Sequence, residues 1–110
     1  MSIQHKELAL GRWNELPLVE QMANVGSEVE RALKWRSRNN PEYCMSSFER
    51  AIELLDLTLD HCKTKSHFKE IARTREILVD YFFCSNEFTS SANSLSAYFL
   101  QFAYAARQNR

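Results

Sequence analysis

The sequence predicts an all-α protein, an up-down four-helix bundle that forms one domain over residues 1–110. Three observations predict this fold class. Apolar residues recur at three- and four-residue steps in four successive segments, which is the period of an amphipathic helix. Short polar stretches separate these segments, and short loops join antiparallel neighbours in a bundle. Only two glycines and two prolines occur, too few for the many tight turns of an all-β fold.

Residues 2–12 suggest a short helix that leads into the bundle. Asn14 is then the expected N-cap of the first long helix, and Pro17 fits its first turn, where a missing N–H costs little. This helix should run to about Arg38. A close crossing with another helix is one reason for Gly26 to lie inside it. Its apolar stripe is formed by Leu18, Met22, Val25, Val29, Ala32 and Leu33.

The second helix has a clear predicted start, with Asn40 as the N-cap, Pro41 at the first position and Glu42 in the first turn. The polar segment 60–65 should form the turn that follows it. The inner face of this helix is expected to carry Cys44 or Met45, then Phe48, Ala51, Ile52, Leu55 and Leu59.

The third helix is predicted over residues 66–83, and Ser90 or Ser91 should cap the fourth helix. Eight of the 13 aromatic residues fall between Tyr81 and Tyr104. Because buried aromatic rings remove large apolar areas from water, the third and fourth helices should form the bulkiest part of the core. The inner faces are expected to contain Phe68, Ile71, Ala72, Leu78 and Phe82 on the third helix, and Leu95, Phe99, Phe102 and Ala106 on the fourth.

Three aromatic residues in succession, Tyr81, Phe82 and Phe83, end the third helix. They stand about 100° apart around its axis, so they cannot all enter one core. With Phe88, they exceed what one helix face can bury, and an exposed apolar patch marks an interaction site. We therefore expect Tyr81, Phe83 and Phe88 to form a binding surface, used in a homodimer or with another protein partner.

The charge and cysteine content favour a cytoplasmic protein that is not a general nucleic-acid binder. Lys plus Arg and Asp plus Glu both total 14, whereas a protein that grips phosphates is usually basic. The thiols of Cys44, Cys62 and Cys84 are widely spaced, which indicates neither a zinc ribbon nor a disulfide framework. No signal peptide and no apolar run of about 20 residues occurs, so no membrane contact is expected.

Two groups of potential metal ligands have the right chemistry but the wrong pattern. The acidic row of the second helix lacks the Glu-x-x-His pattern of di-metal bundles, and Asp56 and Asp60 should instead face Lys65 and Lys69 across the hairpin. The residues of the second group are not spaced as in any familiar zinc-binding motif. We therefore expect no metal and no cofactor. The two groups are Glu49, Glu53, Asp56 and Asp60, and His61, Cys62 and His67.

Lys34, Arg36 and Arg38 surround Trp35 at the end of the first helix. Cations beside an aromatic ring are typical of a phosphate-binding patch. They are also typical of a helix C-terminus, where positive charge offsets the helix dipole. The second interpretation is the better supported, because one short cluster in a neutral protein supplies few phosphate contacts.

The segment 75–82, which reads REILVDYF, resembles the signature of the HEPN family of small helical bundles. In that family an Arg, four intervening residues and a His mark a metal-independent ribonuclease site between two subunits, and some members pair with a nucleotidyltransferase. Arg75 matches the arginine, but Asp80 replaces the histidine. An ionised carboxylate cannot donate the proton that a histidine can near neutral pH.

The sequence thus predicts a small non-catalytic interaction module with no catalytic residues. The alternative that the resemblance implies is a toxin-like ribonuclease that acts on RNA. In it, Arg75 would bind phosphate, and Asp80 or Tyr81 would assist cleavage.

Overall fold

The computed structural model describes residues 11–108, and these form four long helices after one turn of 3-10 helix, with no strand in that part of the chain. The predicted all-α four-helix fold is therefore confirmed. The leading helix predicted over residues 2–12 falls almost wholly outside the described residues. None of the four described helices combines the length and hydropathy needed to cross a membrane. The elements are the 3-10 helix Arg12–Glu15, α1 Leu18–Ser37, α2 Pro41–Asp60, α3 Lys65–Phe83 and α4 Ala92–Gln108.

The helices pack as an antiparallel bundle in which α1 lies against α2 and α4, and α3 lies against α2. The contact register shows the direction of α1 and α2. Arg50 approaches Glu28 in the middle of the pair, and the Trp35 and Tyr43 rings meet at 4.9 Å near its turn. Residue numbers therefore rise along α1 as they fall along α2, as the short loop requires.

The start of α1 is fixed by tertiary hydrogen bonds rather than by the predicted cap. Asn14 lies inside the 3-10 helix, and Pro17 occupies the N-cap position without a side-chain bond. The indole Nε1 of Trp13, which is buried, donates to Thr58 Oγ1 at 2.9 Å. Gln21 Nε2 donates to the Trp13 carbonyl at 2.8 Å. The prediction of Asn14 as the cap was wrong because these distant partners hold the turn in place.

Side-chain caps begin the other three helices. Asn40, Thr64 and Ser91 each accept a hydrogen bond from the backbone N–H three residues later, at 3.1, 3.1 and 3.0 Å. Pro41 follows Asn40 at the first helical position. The predicted cap of α2 is thus confirmed, and Ser91 is the cap among the two serines considered for α4.

The core lies mainly between α1 and α2, with α4 closing one side. Of the eight aromatic residues between Tyr81 and Tyr104, Phe99 alone is fully buried. The expectation that α3 and α4 form the bulkiest part of the core was therefore wrong. The buried apolar cluster consists of Trp13, Met22, Val25, Val29, Ala32, Phe48, Ala51, Ile52, Leu54, Leu55, Ile71, Leu78, Leu95 and Phe99.

Gly26 marks a close crossing of α1 and α4. A Cβ placed on Gly26 would lie 2.8 Å from the Cβ of Phe99, which is shorter than carbon atoms tolerate. The two helices approach this closely because glycine has no side chain at the crossing.

The first turns of α3 extend beyond the end of α2. Arg75 Nε donates to Asp56 Oδ1 at 2.8 Å, so α3 residues before Ile71 lie opposite no part of α2. Phe68, predicted on the inner face, is 49% exposed for this reason. The expected approach of Lys69 to Asp56 was also wrong, because Asp56 pairs with Arg75 instead.

Candidate functional site

The structure does not bring Arg75 and Asp80 together. Five residues along a helix correspond to about 140° of rotation, so the two side chains leave α3 in different directions. Arg75 forms its ion pair with Asp56, and both side chains are partly exposed. Asp80 is 7% exposed, and its oxygens face the connection between α3 and α4.

Asp80 holds that connection in place. Its Oδ1 accepts from the backbone N–H of Glu87 at 2.9 Å, and its Oδ2 accepts from that of Phe88 at 3.0 Å. Hydrogen bonds to an ionised carboxylate are among the stronger ones in proteins. Asn86 and Thr89 adopt left-handed backbone conformations, with φ of 58° and 51°. The carboxylate of Asp80 therefore orders a tight turn.

The three consecutive aromatic residues of α3 divide as their helical spacing predicts. Phe82 and Tyr81 are half-buried and pack against the core, whereas Phe83 is 52% exposed. The Phe83 ring meets the Phe48 ring at 4.7 Å, edge to face. The prediction that at least one ring must lie outside the core is therefore confirmed, and Phe83 is the outward one.

Phe88 is also exposed but has a different neighbour. The guanidinium of Arg73 lies 5.1 Å from the centre of the Phe88 ring. Phe83 contacts α2, whereas Phe88 folds back along α3. The two rings therefore have different neighbours. Phe83, and not Phe88, lines the open pocket in this region.

This pocket, which we call the aromatic cleft, has a volume of about 420 Å³. It lies where the end of α1, the start of α2 and the end of α3 meet. The volume falls within the range of roughly 300–1,000 Å³ that is typical of ligand pockets. The residues that line it are Arg36, Asn39, Asn40, Pro41, Cys44, Met45, Phe48, Phe82 and Phe83.

Arg36 is the only charged residue among the described residues that line the aromatic cleft. Its guanidinium donates to the Tyr81 carbonyl at 3.2 Å. It also lies 4.7 Å from the centre of the Tyr81 ring and 5.7 Å from that of Phe82. A guanidinium over an aromatic face gains about 0.5–1 kcal/mol at an exposed site. These contacts hold the charge at the rim of the cleft.

The remaining wall of the aromatic cleft is mostly apolar, apart from Asn39 and Asn40 at the α1–α2 turn. Burial raises the pKa of the Cys44 thiol above its usual 9.0, although the nearby charge of Arg36 lowers it in part. The thiol is therefore neutral at physiological pH and acts as a small apolar group. Met45, beside it, is 38% exposed, and a flexible thioether adapts to differently shaped partners.

Sequence reasoning did not find Arg36 or Cys44 as members of a shared site. Arg36 was interpreted as part of the positively charged end of α1, and Cys44 as an inner-face residue of α2. The signal that could have joined them is the Asn39–Asn40–Pro41 turn. A sharp turn between two helices places the end of one beside the start of the next, so their neighbouring side chains share one corner.

The potential metal ligands do not form a centre. Across residues 11–108, no three His, Cys, Asp or Glu side chains lie close enough together to hold a metal ion. Asp56 is engaged by Arg75. His61 and His67 are exposed, and Cys62 is half-buried.

No protein-family model, curated protein or solved structure matches this chain. Function is therefore inferred from the side chains of the aromatic cleft and its surroundings.

Proposed function

We propose that this protein is a small non-catalytic interaction module that binds a partner protein through the aromatic cleft. The observation that carries the proposal is the position of Phe83, which is 52% exposed and forms an open wall of an apolar pocket. Aromatic residues and methionine are enriched at protein interfaces. A partner side chain that entered the cleft would cover Phe83 and Met45 and remove both from water.

The surroundings of Arg75 and Asp80 support a non-catalytic role. Each oxygen of Asp80 already accepts a backbone hydrogen bond in the α3–α4 connection, and Arg75 is paired with Asp56. To act on RNA, the buried Asp80 side chain would have to turn away from the connection and release both bonds. That would leave two N–H groups of a part-buried turn without partners, at a cost of about 1–3 kcal/mol each.

The proposal places the module in the cytoplasm. Cys44, Cys62 and Cys84 are free thiols, and Cys84 is exposed. Free thiols are typical of a reducing compartment, whereas small secreted domains tend to pair them.

Site-specific crosslinking tests the proposed function. A photo-reactive amino acid that replaces Phe83 should form a crosslinked product in extracts of the source cells. The matched control replaces Leu100, which lies on α4 and is 54% exposed. We expect crosslinking from position 83 but not from position 100. Equal yields at both positions, or none at position 83, would contradict the proposal.

Aspartate substitutions at the same two positions identify a partner that is a second copy of the chain. If the module forms a homodimer, sedimentation at tens of micromolar should show self-association, and Phe83→Asp should abolish it. Leu100→Asp should leave it unchanged.

A nuclease assay separates the module from the ribonuclease alternative. Purified protein incubated with RNA in EDTA should leave the RNA intact, even at high protein concentration. RNA cleavage that Arg75→Ala abolishes would contradict the non-catalytic proposal.

A further inference from the structure

The rim of the aromatic cleft carries the positive charge of Arg36. None of the described residues that line the cleft is a carboxylate. An arginine has five N–H donors, and the Tyr81 carbonyl accepts one hydrogen bond from this guanidinium. The cleft therefore combines an apolar interior with donors suited to an anion.

A second copy of the chain does not complement this rim. In a two-fold dimer the same patch is used by both subunits, so an interface centred on the cleft would contain two Arg36 side chains. Like charges placed opposite each other disfavour an interface. Within residues 11–108, the lining of the cleft contains no acidic residue to offset them.

A nucleic acid fits the cleft less well than an acidic protein segment does. Base stacking needs open aromatic faces. Of the three rings that line the cleft, Phe48 is buried and Phe82 is half-buried, which leaves one exposed ring, Phe83. The chain has no net charge, so it offers little attraction for a strand of phosphates.

We propose that the aromatic cleft binds a short acidic peptide segment of a partner protein. A bulky apolar side chain of this segment enters the cleft between Phe48, Phe82 and Phe83. An Asp or Glu beside it pairs with the guanidinium of Arg36, whose planar fork suits a carboxylate. This inference rests on the proposed function and adds the chemistry of the partner.

Selection from a library of random displayed twelve-residue peptides tests the inference. The bait is the full chain, and the Arg36→Ala variant serves in parallel as the comparison. With the wild-type chain, we expect enriched peptides to place Asp or Glu within about two residues of Phe, Trp, Leu or Met. With the variant, the acidic preference should be lost while the apolar preference remains.

Affinity measurements with one enriched peptide, labelled with fluorescein, make the test quantitative. Arg36→Ala should weaken binding about tenfold, the change expected when one charged pair is lost. Arg36→Lys should recover part of this loss. The matched control is Arg107→Ala on α4, an exposed arginine that also stacks on an aromatic ring, and it should change binding less than twofold. Circular dichroism must show native helicity in each variant.

The outcomes separate this inference from the proposed function. Enriched peptides that are neutral or basic, or no enrichment at all, would overturn the acidic partner. If crosslinking from position 83 succeeds, the interaction module itself would still stand. Displacement of the peptide by a single-stranded oligonucleotide at equal concentration would also overturn the inference, in favour of a nucleic acid. Failure of the position-83 crosslink would overturn both.

Discussion

α1 and α3 are held in the bundle by different kinds of contact. α1 buries a continuous apolar stripe and crosses α4 closely at Gly26. α3 buries only Ile71, Thr74, Leu78 and Asp80. Two of these four residues are polar, so directional bonds position α3 as much as apolar packing does. The difference suggests that α1, α2 and α4 supply stability, while α3 presents the aromatic rings of the cleft.

Two phenylalanines provide the largest contrast between the regions. Phe99 on α4 is 3% exposed, and Phe68 on α3 is 49% exposed. Phe99→Ala should lower the free energy of unfolding by about 3–5 kcal/mol, because it leaves a cavity in the core. Phe68→Ala should lower it by less than about 1 kcal/mol. Urea unfolding followed by circular dichroism measures both, and similar losses would show that α3 is as well packed as α4.

A methyl group at the α1–α4 crossing should also be costly. Gly26→Ala gains about 1 kcal/mol of helix propensity, but its Cβ would lie 2.8 Å from the Cβ of Phe99. That atom is next to the backbone and cannot rotate away, so the helices must separate. We expect a net loss of about 1–3 kcal/mol. Ser27→Ala, at the exposed neighbouring position, is the control and should not destabilise the protein in the same urea titration.

Removing the charge of Asp80 tests how the α3–α4 connection is held. Asp80→Asn leaves one acceptor oxygen and points an NH2 group at a backbone N–H, so stability should fall by about 1–2 kcal/mol. The amides of Glu87 and Phe88 should exchange with solvent faster, as measured by NMR. Glu87→Gln changes only an exposed side chain and should leave both amides protected. Unchanged exchange in Asp80→Asn would contradict the assigned role.

The hydroxyl of Tyr98 provides a pH-dependent link between α3 and α4. It donates to Glu70 Oε2 at 2.8 Å and shares a hydrogen bond with Thr74 Oγ1 at 3.0 Å. Burial, reinforced by the nearby carboxylate of Glu70, raises the pKa of Tyr98 from 10.0 to about 12, against the lowering effect of the Thr74 bond. The folded protein therefore retains this proton at a pH where the unfolded chain loses it.

The stability that Tyr98 contributes should be fully present below pH 10 and lost as the pH rises towards 12. Tyr98→Phe should lower stability by about 1 kcal/mol at neutral pH. Between about pH 10 and 12, urea unfolding should show a steeper loss of stability in the wild type than in the variant. Parallel slopes would show that the hydroxyl is not protected by folding.

The ion pair between Arg75 and Asp56 should have the smallest effect. Both side chains are partly exposed, so Arg75→Ala should cost only about 0.2–1 kcal/mol. A double-mutant cycle with Asp56→Ala isolates the pairwise contribution from other changes. A coupling energy well above 1 kcal/mol would show that this ion pair holds α3 more strongly than an exposed ion pair usually does.

The sequence predicts most of the fold because helical periodicity is a local property. Leu95 and Phe99 are four residues apart on one face of α4, and both are buried. The same reasoning failed at Phe68, because periodicity does not show where one helix extends beyond the end of its neighbour. That depends on the register of the α2–α3 hairpin, which the pairing of Asp56 with Arg75 reveals.

The candidate site was predicted only in part. Phe83 could be inferred because three successive rings cannot share one helix face. The role of Asp80 could not be inferred, since its partners are backbone N–H groups seven and eight residues later. Every residue except proline carries a backbone N–H donor, so the residue types in the sequence do not show which donors Asp80 will bind. Arg36 lies at the cleft because of the turn between α1 and α2. The geometry of that turn is defined only in the folded chain.

The burial of Trp13 beside Thr58 has a practical consequence. The second tryptophan, Trp35, lies near the other end of α1, which as a 20-residue helix is about 30 Å long. Each end of the molecule thus has its own natural fluorophore. Emission from Trp35, isolated by Trp13→Phe, reports on the neighbourhood of the cleft, whereas Trp13 reports on the far end, where the indole bonds to Thr58.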